Sequence, residues 1–274
     1  MIETLLCMAA MAAAEPANGT DIVKAAEAPL RFDLDAAVWL VRLKGQGSNG
    51  GDTLQFGEDA SDSLGLGNLE GLFRGELTVS KNPWAVRIMG THGSWDGTTT
   101  LGPGMSTTWG GQPLTAGVDY AASFDMSWFA MEGHWYPITW LGDGRRDTLD
   151  PVDLNFGPHI GVSWIDIQQS VGSVSNAGVW WTGYVGAELM LDVDLKPFTS
   201  LLRSMSIGVG GSVGGAVSDG GLFYKVRGGL TLHITQQMSA TAGYRLMEFK
   251  NLKDGDWDIS PSFPGFFIAL NVTF

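Results

Sequence analysis

Charged side chains of both signs recur at alternate positions along this chain. Glu70, Arg74, Glu76, Arg87, Asp125, Asp153, Glu188, Asp192, Lys225, Arg227 and Arg245 all fall on the polar side of stretches that alternate with period two. Carboxylates and cations gathered on one enclosed face can neutralise one another, whereas an unpaired buried charge costs several kcal/mol. The first chemistry these residues offer is therefore a network of ion pairs, and the second is the lining of a narrow polar path. The histidines His92, His134, His159 and His233 could do acid–base work, but no Ser/His/Asp set converges at one end of the alternating stretches. A lone histidine on a strand is read as structural. The string "GVGGSVGG" (208–215) has the glycines of a phosphate loop but neither its lysine nor a following helix, so strand glycine is the reading. Asp52, Glu58, Asp59 and Asp62 crowd one Gly- and Ser-rich segment, where solvated charge is the default and divalent-cation binding the alternative. No cofactor and no metal centre is expected.

The elements that carry these residues all have the same periodicity. "RFDLDAAVWLV" places Leu34, Ala36, Val38 and Leu40 opposite Asp33 and Asp35. "LEGLFRGELTVS" sets Leu69, Phe73, Leu77 and Val79 against Glu70, Arg74 and Glu76. Val86 and Ile88 oppose Arg87, and "VDYAASFDMSWFA" sets Phe124, Met126 and Trp128 against Ser123, Asp125 and Ser127. Further stretches begin near Val152, Trp180, Met205, Leu222 and Met238, and the last is "FFIALNVTF". The total is about ten strands, most of ten or more residues, where ordinary globular strands average five or six. About nine to eleven residues is the length that crosses a bilayer at a tilt.

Composition points the same way. Of 274 residues 44 % are hydrophobic and only 16 % charged, so ionic groups cannot solvate most of the surface. No run reaches the eighteen or so apolar residues of a transmembrane helix, so a membrane form must be a closed barrel, in which every backbone N–H and C=O is paired. Connections support this. "KNP" and "TQQ" are short turns, and "GQGSNGGDTLQFGEDASDSLGLGN" and "DGTTTLGPGMSTTWGGQP" are long loops; "WLGDGRRDTLDP" and "SDGG" break the alternation. Trp84 and Trp140 beside turns, with Trp95 and Trp257 where strands meet loops, fit aromatic girdles at two interfaces. A net charge of −13 excludes binding to nucleic acid, which needs clustered Lys and Arg.

Residues 5–14, "LLCMAAMAAA", have the apolar run of a secretory signal, and Ala12-Ala13-Ala14 fits its cleavage site. "MIET" lacks the basic residues that usually precede such a run. The expected organisation is a signal peptide at 1–14, a polar lead at 15–30 and a barrel at 31–274. Removing Cys7 with the signal would leave no cysteine for a disulfide or thiolate site.

On these strands the chain resembles the Gram-negative outer-membrane β-barrels, the small barrels of the outer membrane protein A and W type. The resemblance covers residues 31–274 and rests on architecture and one motif, the final Phe274 with apolar residues at alternate positions before it: Val272, Leu270, Ile268 and Phe266. It implies an all-β, closed antiparallel transmembrane barrel of about ten strands with both termini periplasmic, located in the outer membrane. It also implies that the β-barrel assembly machinery reads the terminal motif, and that lipid and lipopolysaccharide surround the barrel. A monomer is expected. The lumen network then consists of Arg74, Glu76, Arg87, Asp125, Glu188, Lys225, Arg227 and Arg245. The expected role is structural or surface-related, or a small-solute channel with a narrow or plugged bore. The alternative is a lipid-modifying or proteolytic enzyme with a site at the outer rim. A soluble ligand-binding barrel, apolar inside and charged outside, ranks third.

Overall fold

The period-two stretches become ten long strands that wind once round a closed barrel. A computed structural model describes residues 30–51, 53–57, 63–136, 138–141, 152–195, 201–217 and 220–274, with the side chains of 138–141 excepted. The strands are β1 (Arg31–Arg42), β2 (Leu69–Lys81), β3 (Trp84–Thr100), β4 (Asp119–Trp135), β5 (Val152–Val171), β6 (Val174–Asp194), β7 (Ser204–Ala216), β8 (Leu222–His233), β9 (Met238–Lys250) and β10 (Trp257–Thr273). Each pairs antiparallel with the next, and β10 closes the ring on β1. That seam runs in one register from Asp33↔Thr273 to Val41↔Gly265, and on through the short extension Lys44–Asn49 to Asn49↔Trp257. At its lower end the Phe32 N–H donates to the Phe274 carbonyl at 3.3 Å and the Phe274 N–H donates back at 2.8 Å. Closure leaves no unpaired edge, the condition for placing a sheet in hydrocarbon.

The lower part of the barrel has the expected polarity. Leu34, Val38, Leu77, Val86, Met131, Ile160, Val185, Val209, Val226, Ile268 and Leu270 are exposed on its outside, and every strand contributes exposed apolar surface. A water-soluble protein rarely exposes more than a few hundred Å² of contiguous apolar area, whereas a spanning barrel needs such a band all the way round. From Val152 to Trp164 along β5 the band spans roughly 30 Å at strand rise and tilt typical of barrels. Phe129, Trp164 and Trp181 are register neighbours across β4, β5 and β6 at its upper limit. Trp84 and Trp135 stack at 5.6 Å near its lower one.

Above that limit the polarity is reversed. On β3 the outward residues change from Trp84, Val86 and Ile88 to His92, Ser94 and Asp96, while the inward ones change from Arg87 to Trp95. On β4, Phe124, Met126 and Trp128 face inward and Ser123, Asp125 and Ser127 outward, opposite to the sequence expectation for this strand. Ile165 and Ile167 on β5, and Ile259 and Phe263 on β10, also point inward. The reason is that this part projects beyond the hydrocarbon: water bathes its outside, and apolar side chains retreat to the inside.

The connections also depart from the simple alternation of lengths. At the upper end a two-residue turn, Gly172–Ser173, joins β5 to β6, with Gly172 at φ +59° as a tight hairpin requires. At the lower end longer stretches of sequence separate β4 from β5 and β6 from β7, and Ile138–Leu141 adds a short strand against β5. The two long upper segments are not solvated loops throughout. Leu54, Phe56, Leu64 and Leu66 from one, and Leu101, Trp109 and Leu114 from the other, are all buried in the core. The Gly110 N–H donates to the Asn49 carbonyl at 2.7 Å, tying one segment to the other. Trp95 and Trp257, expected in a girdle, are buried in the same core. The Trp140 side chain lies outside the described residues, as do Asp52, Glu58, Asp59, Asp62 and residues 1–29.

Candidate functional site

Inside the lower barrel the inward positions of β1 to β9 meet at one level. Arg74 Nη2 lies 3.2 Å from Asp35 Oδ1 and 2.9 Å from Glu76 Oε2, and Arg87 Nε lies 2.8 Å from Glu76 Oε1. Arg87 Nη1 is 3.6 Å from both Glu132 Oε2 and Glu188 Oε2. Lys225 and Arg227 close the ring by pairing with Glu132 and Glu188 respectively. Neutral donors complete the carboxylates. Tyr184 donates to Glu132 Oε1 at 2.9 Å, Tyr136 donates to Glu188, and His134 Nε2 lies 3.0 Å from Glu132 Oε2. His159 contacts Ser212 Oγ at 2.8 Å, with its ring centre 4.7 Å from that of His134. Long cations fit here because the facing inner positions of β7 are Gly208, Gly210, Ser212 and Gly214.

The structure thus brings together Arg74, Glu76, Arg87, Glu188, Lys225 and Arg227. Arg245 lies at the same level, buried, with its guanidinium 5.8 Å from the centre of the Trp39 ring. Asp125 does not join them. It sits on the outer wall above the apolar band, because β4 presents its even-numbered residues to the lumen. The residue that β4 does contribute is Glu132, four residues beyond Trp128 on the same face. Sequence reading missed it by ending the alternation at Ala130 and assigning that face to lipid. His134, Tyr136 and Tyr184 escaped for the same reason: they belong to an interior that the apolar positions of β4 and β6 concealed.

Two layers therefore fill the bore. The charge network occupies the middle, and above it Trp39, Trp95, Phe124, Phe56, Phe263, Trp180 and Phe249 form an apolar core, joined by the inward-folded loops. Phe124 is within aromatic contact of Phe56, Trp95 and Phe263, at centroid separations of 5.4, 5.9 and 6.2 Å.

A second polar constellation lies outside. His92, Ser127 and Asp166 are register neighbours across β3, β4 and β5, directly above the row containing Phe129 and Trp164. His92 Nδ1 is 3.0 Å from Ser127 Oγ, and a shallow hollow of about 170 Å³ is lined by these three residues with Asp125, Met126 and Gln168. A serine, a histidine and two acids do come together here, which the sequence reading did not foresee. Among the described residues neither acid is hydrogen-bonded to His92. Among the described residues no group of His, Cys, Asp and Glu is arranged to hold a metal ion.

A closed, lipid-facing shell around a charged interior defines the class: a transmembrane antiparallel β-barrel of ten strands. No family model matches the chain, and no curated protein does. Among solved structures, the chain is similar to the outer membrane protease OmpT from Escherichia coli (9 % identity, 89 % of this chain and 97 % of that one, TM-score 0.47). It is also similar to Neisserial surface protein A (10 %, 89 % and 97 %, TM-score 0.36). A third is Ail, the attachment invasion locus protein of Yersinia pestis (9 %, 89 % and 99 %, TM-score 0.32). Their activities differ from one another, and at such identities none passes to this chain.

Proposed function

We propose that the protein is an integral outer-membrane barrel of a Gram-negative envelope with a bore that is shut at rest, serving a structural or surface role. The observation that carries this reading is the doubly filled interior: ion pairs shut the middle and an aromatic core shuts the top. The long loops would face outward and both chain ends the periplasm. Outer-leaflet lipopolysaccharide would surround the apolar band, and the β-barrel assembly machinery would read the strand ending at Phe274. A monomer suffices, since the closed ring leaves no strand to share.

The test is electrical. Protein purified from the outer-membrane fraction and placed in a planar bilayer should show little or no steady conductance. Replacing Arg227 and Arg245 together by Ala should leave the bore shut, because the aromatic layer above remains. Adding Phe56→Ser and Trp109→Ser should open it. A large steady conductance from the unaltered protein would overturn the closed-bore reading.

The second reading is an enzyme, and the His92–Ser127 contact is the observation in its favour. Against it stands the position of Ser127 in mid-strand, paired on both sides, where neighbouring N–H groups are committed to the ladder and unavailable to an oxyanion. Neither carboxylate orients the imidazole. Covalent labelling of Ser127 by a fluorophosphonate would turn the reading toward an acyl-transfer enzyme working at the lipid surface.

A further inference from the structure

Among the described residues the lumen network is one negative charge short: at its level stand five cations (Arg74, Arg87, Lys225, Arg227 and Arg245) and four carboxylates (Asp35, Glu76, Glu132 and Glu188). The unmatched cation is Arg245, which is 1 % exposed. Among the described residues its Nε has no hydrogen-bond partner and no carboxylate is within ion-pairing distance of it. Its cross-strand neighbours make this worse. On one side the directly opposite residue is Arg227, a like charge already committed to Glu188, and on the other it is Gly265, which offers no side chain.

Other donors without acceptors lie beside it. A Cβ built on Gly265 would fall 2.8 Å from Trp39 Nε1, so the indole N–H lies over the residue facing Arg245, and it has no partner either. Trp39 pairs in register with Phe267, and the Arg74 guanidinium stands 5.7 Å over the Phe267 ring with its own Nε unpartnered. Indole N–H groups of Trp95, Trp109 and Trp128 are also unpaired in the upper core, so the indole alone marks nothing. Among the described residues the mark is a buried guanidinium without a counter-ion, beside an indole N–H and the Nε of Arg74, whose Nη2 is already paired with Asp35 and Glu76. A buried charge in that state carries a heavy desolvation cost that a matching anion would remove.

We propose that the barrel binds one small monovalent anion, of the chloride class, between Arg245, Arg74 and the indole N–H of Trp39. One unit of charge is what the count requires. Trp39, Phe267 and Gly265 are themselves buried, which favours a small ligand over a bulky one, and the three donors come from three different strands. The anion would tie β1, β2 and β9 together beside the seam.

The experiment uses the whole barrel in a nonionic detergent, melted at fixed ionic strength as gluconate is exchanged for chloride. The midpoint should rise saturably by about 2–4 °C, as expected for a ligand bound only by the folded state. In Arg245→Met, which keeps the bulk and removes the charge, the dependence should vanish. Equal midpoints in the two anions, or an undiminished chloride effect in Arg245→Met, would overturn the proposal. Should that variant not fold, crystals of the unaltered protein grown in bromide decide it: an anomalous peak between Arg245 and Trp39 is expected, and its absence there refutes the site.

Discussion

Glu132 is the residue on which the largest part of the lumen turns. Lys225, His134, Tyr184 and Arg87 all address it, and it is 1 % exposed. Removing one partner of a buried ion pair leaves the other charged and dry, at a cost of about 3–5 kcal/mol. Glu132→Ala should therefore lower the unfolding free energy measured in guanidinium by that much, and Glu132→Gln, which still accepts from Tyr184, by less. Replacing Glu132 and Lys225 together by Met should recover most of the loss, because neither charge is then left alone. Equal losses in the single and double variants would mean that the pair contributes through packing and not through charge.

At the scale of the strand, the face of each element was readable wherever one polarity ran its whole length. β7 and the lower parts of β1, β2, β8 and β9 carry one apolar and one polar face, and the structure keeps them so; higher up Trp39, Leu72, Phe223 and Phe249 take the inward positions. β3, β4, β5 and β10 do not keep one polarity, and the signal was present in their parity. On β4 the large apolar residues occupy even positions up to Trp128 and odd positions from Phe129 and Met131. On β10 they move from Ile259 and Phe263 to Phe266, Ile268 and Leu270. Alternation by itself treats a lipid-facing leucine and a core leucine alike, since each merely avoids water. The parity switch is the physical trace of the level at which the wall leaves hydrocarbon for water. Asp125 was misplaced and Glu132 overlooked because that switch was not followed. The inward folding of the loops was hidden differently: Leu54, Phe56 and Trp109 sit among Gly, Ser and Thr, which composition reads as solvated. Glycine is needed at the closest strand approaches. A Cβ on Gly243 would lie 2.3 Å from the Gly228 carbonyl oxygen, so Gly243→Val should displace β9 from β8 and lower the yield of folded barrel. A normal yield, measured by resistance of the fold to detergent without heating, would contradict that packing.

For the molecule as a whole, the seam between β1 and β10 has a consequence that concerns chain order. Phe32 and Phe274 already exchange two hydrogen bonds, so the ring of strands is geometrically indifferent to where the polypeptide is cut. A rearranged chain, with a short flexible link from Phe274 to Leu30 and new ends opened at Gly172–Ser173, preserves every ladder and should fold in detergent to the same heat-sensitive barrel. In cells it should fare differently if the assembly machinery reads a terminal strand, because the last strand would then be β5, ending in Ser170 and Val171 rather than Thr273 and Phe274. Folding in detergent together with failure in the envelope would separate two demands that β10 meets at once, one as a wall segment and one as an address. Where along the chain the address is written is a matter of recognition, and the barrel's own geometry is blind to it.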